Sequence, residues 1–317
     1  MKKQAAGTVR TSSLAILPVL LLGMLAGTAH GQIFVNYGNG IGEFNFDGTP
    51  INTALVTGLS TPQGMAISGN NLFVADNGSG TVGEYTTSGT TINASLVPGL
   101  TAGLEGLAIS GTNLFVATYG PFTGKIGEYT TSGATVNASL ISGRYSADGL
   151  AISGNNLFVT GGANSFNIGI GEYTTSGATV NASLVNGLNL PAGIAISGND
   201  IFVADGTVVH EYTTSGATVN ASLIRRTGGV NGIATYGNLL FTVGGDGTVG
   251  EYTTSGAAIN ASLITGIPHP GYDPLGIVVI PEPSSIALAA LGSSLLLAGW
   301  HKRAKRFSRM AHSTSRK

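Results

Sequence analysis

A heptapeptide, Gly-Glu-Tyr-Thr-Thr-Ser-Gly, starts at Gly83, Gly127, Gly171 and Gly250 of this 317-residue chain, with variants opening at His210 (His-Glu-Tyr) and Gly42 (Gly-Glu-Phe). The six starts are 41, 44, 44, 39 and 40 residues apart, the spacing at which one repeat is a four-stranded blade. Each copy divides into four short β-type runs punctuated by Gly, Asn and Ser, as at 64–68, 71–76, 81–86 and 93–97. We label them a, b, c and d. Run b (Leu72-Phe73-Val74-Ala75) is apolar without alternation, as in a sheet packed on both faces. The array begins with a b-like run (33–36), and its last β run (276–280) matches run a. A ring closed by completing one blade from both termini gives this order, and closure hides sheet edges that an open array would expose. The expected fold is all-β: a six-bladed β-propeller over residues 32–280, its first blade completed by the C-terminal strand.

The repeats resemble NHL-type and related six-bladed propellers, through Pro62-Gln63-Gly64-Met65-Ala66-Ile67 at run a and Val82-Gly83-Glu84-Tyr85 at run c. WD40 is disfavoured, because the chain's one Trp, Trp300, lies outside the repeats. The resemblance implies a fold but no single function, since the scaffold serves hydrolases, lyases, ligand binders and interaction modules.

Both ends read as targeting segments. Lys2, Lys3 and Arg10 precede an apolar run from Leu14 to Ala26 and the small-residue site Ala29-His30-Gly31, the order of a signal peptide over residues 1–31 cut by signal peptidase. A retained membrane anchor is the rival. At the other end, residues 281–317 carry Pro281-Glu282-Pro283, an apolar stretch from Ser284 to Trp300 and a basic cluster from His301 to Arg306. This tail resembles the PEP-CTERM sorting signals that exosortases recognise in bacteria, a tail type also grouped under an ice-binding protein name. The resemblance implies a transient inner-membrane span, cleavage near the motif, and delivery to the cell surface, extracellular matrix or medium. The span is about the bilayer minimum, and its basic flank favours the cytoplasmic side, leaving the repeats outside. A permanent single-pass anchor is the alternative.

The chain has no Cys and only 9% charged residues. That excludes disulfide stapling, thiol catalysis and thiolate metal sites. Between residues 32 and 280, four basic residues (Lys125, Arg144, Arg225, Arg226) stand against seven Asp and seven Glu, a net charge of −10. Nucleic acid is therefore not an expected partner, whereas divalent cations and cationic surfaces suit the acidic domain. There is no Gly-x-Ser-x-Gly elbow, Walker motif or zinc cluster, and the repeat region holds only His210 and His269.

The six run-c carboxylates, Glu43, Glu84, Glu128, Glu172, Glu211 and Glu251, lie too far from the axis to act together. Recurrence in every blade points to a structural hydrogen bond. Five Asn-Ala-Ser sequons, at Asn93, Asn137, Asn181, Asn220 and Asn260, are expected at the c-to-d turns, where Asn suits the backbone. The a-to-b and c-to-d segments are nearly copied between repeats, while the b-to-c and d-to-a loops vary. Up-and-down strand order gathers the variable loops on one rim, where site-specific chemistry belongs. That rim would present Tyr37, Tyr119, Phe122, Arg144, Tyr145, Phe166, Arg225, Arg226, His269 and Tyr272, aromatics beside Arg that suit polysaccharide or protein contact.

The residue before each run-a Gly should face the channel mouth: Gln63, Glu105, Asp148, Ala192, Asn231 and Leu275. Four carry oxygen donors of the kind Ca²⁺ or Mg²⁺ takes, and the lactonase-like propellers resembled here hold a divalent ion near that place. A hydrated polar pore is the alternative. Three functions are consistent with this reading: a non-enzymatic surface propeller that binds polysaccharide or protein, a metal-dependent lactonase- or lyase-like enzyme, and a structural spacer.

Overall fold

The computed structural model describes residues 31–100, 103–120, 123–162, 164, 168–268 and 276–281. Blade 1 contains β1 (Gly31–Tyr37), β2 (Gly40–Asn45) and β3 (Pro50–Thr57), and blade 2 contains β4 (Pro62–Ser68), β5 (Asn71–Asp76), β6 (Thr81–Thr86) and β7 (Thr91–Val97). Blade 3 follows with β8 (Leu104–Ser110), β9 (Asn113–Thr118), β10 (Gly124–Thr130) and β11 (Thr135–Arg144). Blade 4 comprises β12 (Leu150–Ser153), β13 (Asn156–Gly162), β14 (Ile168–Thr174) and β15 (Thr179–Asn186). Blade 5 is β16 (Pro191–Ser197), β17 (Asp200–Asp205), β18 (Val208–Thr213) and β19 (Thr218–Arg225). Blade 6 is β20 (Gly232–Tyr236), β21 (Leu239–Val243), β22 (Val249–Thr253) and β23 (Ala258–Ile264). The last strand, β24 (Ile277–Pro281), returns to blade 1.

The result is an all-β, six-bladed propeller of four-stranded antiparallel sheets. Blade 1 has the order β24-β1-β2-β3, with Gln32 opposite Ile280 and Val35 opposite Ile277. The predicted closure by the C-terminal strand is therefore present. The inner strands β4, β8, β12, β16, β20 and β24 follow one another around the axis, each against the next.

Burial follows the run pattern. Each second strand places a Phe (Phe34, Phe73, Phe115, Phe158, Phe202, Phe241) below 2% exposure. Apolar side chains from facing blades form six clusters, one per interface; Phe73 and Val97 of blade 2 meet Leu107 and Tyr129 of blade 3, for example. Burial of this kind stabilises by ~25 cal/mol per Å². The outermost strands leave their first residues in solvent, with one exposed Ile or Val per blade: Ile51, Ile92, Val136, Val180, Val219 and Ile259. Among the described residues there is no helix long and apolar enough to cross a membrane. The expected signal peptide, and the sorting tail beyond Pro281, lie outside the described residues.

Two repeated details refine the sequence reading. The Asn71, Asn113 and Asn156 amides donate to Glu84, Glu128 and Glu172 at 2.7 Å. In those blades the carboxylate thus serves the repeated structural bond. Blades 1, 5 and 6 have Gln32, Asp200 and Leu239 at the matching position; there burial pushes Glu43, Glu211 and Glu251 above the ordinary carboxylate range, with Asp200 adding to the effect at Glu211. The sequon asparagines correct an expectation, because they stand inside the outer strands rather than in the c-to-d turns. Asn93 pairs with Glu84 beside a β-bulge, and its Oδ1 accepts the Ser95 N–H at 3.0 Å. The extra residue of the bulge frees a backbone donor that Asn satisfies.

Candidate functional site at the mouth of the axial channel

The inner strands set up the site through a ring of glycines: Gly64, Gly106, Gly149, Gly193, Gly232 and Gly276. A Cβ on Gly64 would collide with the Glu105 carbonyl oxygen, on Gly106 with that of Asp148, and on Gly276 with that of Gln63. Only Gly allows the inner strands this close. Their N–H groups then reach across blades: Gly106 donates to Asp148 O at 2.7 Å and Gly193 to Asn231 O at 2.8 Å. On one side of the ring the channel widens to about 390 Å³ among side chains such as Ile67, Ile109, Ile152 and Val279. On the other it opens into a cavity of about 60 Å³ lined by Glu105, Asp148, Ala192, Asn231 and four of the glycines.

The predicted mouth residues Glu105, Asp148 and Asn231 therefore converge on one small cavity. Gln63 holds the same position in blade 2, and its Oε1 is buried without a partner. Leu275 lies outside the described residues. Burial and the nearby Asp148 push the Glu105 carboxyl up to about 8. Burial also raises Asp148, to about 6, against the opposing effects of the Ser146 hydroxyl (3.3 Å) and the Arg144 charge. Two carboxylates compete for one desolvated space, and a proton or a cation relieves the conflict. Among the described residues no group of three or more His, Cys, Asp or Glu gathers for a metal. The donor set here is two carboxylates with amide oxygens, which suits a hard cation.

Sequence reasoning missed the side chains that hold the mouth in shape. Asn36 donates to Pro62 O (2.7 Å) and Gln63 O (2.5 Å) and accepts the Gly276 N–H (2.8 Å), tying blade 1 to blade 2 and to β24. Thr160 does the same work in blade 4, accepting the Gly149 N–H (2.7 Å) and donating to Ala192 O (2.6 Å). The available signal was a polar residue where the other second strands carry Ala75, Ala117, Ala204 and Val243.

The expected binding rim is corrected in part. Arg144 and Arg226 are only 3% and 8% exposed and serve as plugs between blades. Arg144 donates to the Tyr173 hydroxyl at 2.6 Å and to Ser146 O at 3.1 Å, with its guanidinium 5.5 Å from the Tyr173 ring centroid. Arg226 donates to the Thr242 hydroxyl (2.7 Å) and to Thr248 O (3.0 Å). A planar fork with this many donors satisfies buried oxygens that an apolar plug would strand. Tyr37 is half-buried and donates its hydroxyl to Thr53 O, and Tyr145 is half-buried. Tyr119 and Arg225 are exposed. Phe122, Phe166, His269 and Tyr272 lie outside the described residues.

Fold and site together define a six-bladed β-propeller with an acidic axial mouth. No protein-family model and no curated protein matches the chain. Solved structures share the fold. A chain of a nidogen/laminin complex aligns at 14% identity and TM-score 0.63, over 78% of this chain and 98% of that one. A gluconolactonase from Xanthomonas campestris aligns at 15% identity and TM-score 0.55, over 68% and 78%. Hydrazine synthase of Kuenenia stuttgartiensis aligns at 15% identity and TM-score 0.56, over 78% and 90%. At these identities the likeness concerns the fold.

Proposed function

We propose that this chain is an exported propeller that binds a divalent cation, Ca²⁺ or Mg²⁺, at its axial mouth and through it an oxygen-rich extracellular ligand such as polysaccharide. The observation that carries this reading is the convergence of Glu105, Asp148 and Asn231 on one cavity. Glu105 and Asp148 supply charge, Asn231 and Gln63 supply neutral oxygens, and the Ser146 hydroxyl holds Asp148 in place. A bound cation would offer open coordination positions to hydroxyl or carboxylate oxygens. The burial of Arg144 and Arg226 moves the proposed contact from the rim to the axis.

Thermal melting with and without cation tests the site. At a hundred times its dissociation constant, Ca²⁺ should add about 2.7 kcal/mol, or roughly 5–10 °C. Asp148→Ala should abolish the shift, and a shift that survives Asp148→Ala and Glu105→Gln refutes the axial site.

A second reading, a metal-dependent lactonase- or lyase-like enzyme, is favoured by the Glu105 carboxyl. A group held near 8 can give or take a proton at neutral pH, and a gluconolactonase shares the fold. Ca²⁺-dependent opening of a sugar lactone, lost in Glu105→Gln, would put this reading first. Export rests on signal peptidase at the N-terminus and an exosortase at Pro281-Glu282-Pro283. Substituting Glu282 should leave an unprocessed, membrane-held form, visible as a heavier band.

A further inference from the structure

The six blade interfaces repeat one slot, and the chain closes it in different ways. The slot lies beside the third-strand position held by Gly42, Gly83, Gly127, Gly171, His210 and Gly250. By repeat position the second-strand residue beside it is Tyr37, Asp76, Thr118, Gly161, Asp205 or Gly244. Tyr37 fills its slot, packing on Gly42. Asp76 accepts the Ser60 and Thr61 N–H groups at 2.8 and 2.9 Å, drawing the preceding loop down. Asp205 does likewise with Asn189 and Leu190, and His210 stands 3.3 Å from it. Where the second strand offers only Gly, at Gly161 and Gly244, an arginine from the end of the preceding outer strand enters instead: Arg144, the last residue of β11, whose guanidinium lies against Gly171, or Arg226, just past β19. A long filler thus accompanies each missing one.

The interface between blades 2 and 3 has neither device. Thr118 is short and turns its hydroxyl to Lys125 O (3.2 Å), and the loop contributes Leu100 where Arg144 stands one blade on. Here the structure keeps a cleft of about 340 Å³, lined by Pro98, Leu100 and Val116 on its apolar side and by Thr118, Lys125 and Tyr129 on its polar side. Lys125 is the one charged residue at its repeat position, matched by Gly40, Thr81, Gly169, Val208 and Thr248. Its ammonium forms no ion pair and no side-chain hydrogen bond among the described residues.

We propose that this cleft is a second ligand site, distinct from the axial mouth, that takes a uronic-acid pyranose. The carboxylate would pair with the Lys125 ammonium, and the apolar face of the sugar ring would lie along Pro98 and Leu100 beside the Tyr129 ring. The volume suits one sugar ring, since ligand pockets start near 300 Å³. A cleft walled half by carbon and half by polar groups matches a ligand with one apolar face and a hydroxyl edge. A cation in that wall with no ion pair among the described residues selects the acidic sugar over the neutral one.

The test is a calorimetric titration of the full chain with D-glucuronate, and in parallel with D-glucose, in EDTA so that the axial mouth takes no part. Saturable binding of glucuronate at least tenfold tighter than glucose is expected, with a tenfold or greater loss in Lys125→Met. The double variant Leu100→Arg, Lys125→Gly rebuilds the plug of the neighbouring interface and should melt no lower than the parent while binding neither sugar. Absence of saturable glucuronate binding, equal affinity for the two sugars, or unchanged binding in a folded Lys125→Met would overturn the assignment.

Discussion

Glu105 and Asp148 carry the clearest consequence at the scale of single residues. Their folded-state values, about 8 and about 6, lie above the ordinary 4.5 and 3.8. The unfolded chain therefore releases these protons earlier, and between those limits the folded state binds more protons. Stability from this source is full below about pH 4 and is lost as pH rises through 6 and then 8. In EDTA the melting temperature should fall from pH 5 to pH 8.5, and Glu105→Gln should flatten most of the fall above pH 6. A profile that is flat in the parent contradicts the crowding of these carboxylates. The buried arginines give a second contrast. Arg144→Ala removes a plug and strands the Tyr173 hydroxyl, which should cost about 2–4 kcal/mol. Arg225→Ala, at the exposed end of β19, should stay within about 0.5 kcal/mol. Denaturant melts of the two variants measure the difference. The sequence reading puts these arginines in variable loops, whereas Arg144 and Arg225 end strands β11 and β19 and Arg226 is the first residue past β19. The burial of Arg144 was not legible, because its guanidinium lies against a glycine of the next blade, Gly171, a contact that only the packed blades reveal.

Much more could be read at the scale of the strand. The spacing of Gly-Glu-Tyr predicted four strands per repeat because the second strand's unbroken apolar run has only one stable setting, between two other blades. Strand order brought Glu105, Asp148 and Asn231 together, since residues at or just before the start of the innermost strands crowd around the axis, and the three line one cavity. The run-c glutamates show where this reasoning stops. Their recurrence pointed to a structural bond, but the Asn partner is supplied by three blades only. Asn113→Ala leaves the Glu128 carboxylate, 8% exposed, without its side-chain donor. Loss of this bond at a buried group should destabilise by about 1–3 kcal/mol. The same change at Leu239, the residue at the matching position of blade 6, packed on an apolar cluster, should be limited to lost apolar contact. Comparing Asn113→Ala with Leu239→Ala by chemical denaturation separates the two causes: a larger loss in Asn113→Ala is the expected result, and equal losses would assign both to packing.

At the scale of the whole molecule, the ring is held shut without a covalent link. β24 pairs with β1 from Gly31↔Pro281 to Val35↔Ile277, and it also touches β4 and β20, so this one strand completes blade 1 and the two interfaces beside it. The other five blades join their first two strands through a two-residue turn, as Gly69-Asn70 joins Ser68 to Asn71. Ser68↔Asn71 corresponds in register to Ile280↔Gln32. A circular permutant follows directly: Ile280 is linked to Gln32 by Gly-Asn, the chain now begins at Gly276, and it ends at Pro268. Every strand pair except Gly31↔Pro281, which the new turn replaces, is kept, and the break moves to between β23 and β24. The permutant should melt within a few degrees of a parent spanning residues 31–281, since a short turn adds little closure entropy to strands already paired. Deleting residues 276–281 instead bares the inner edge of β1, with Ile33 and Phe34 losing their cover. That chain should melt far lower and associate through the open edge. If the permutant behaved like the deletion, chain order rather than strand complementarity would be what closes the ring.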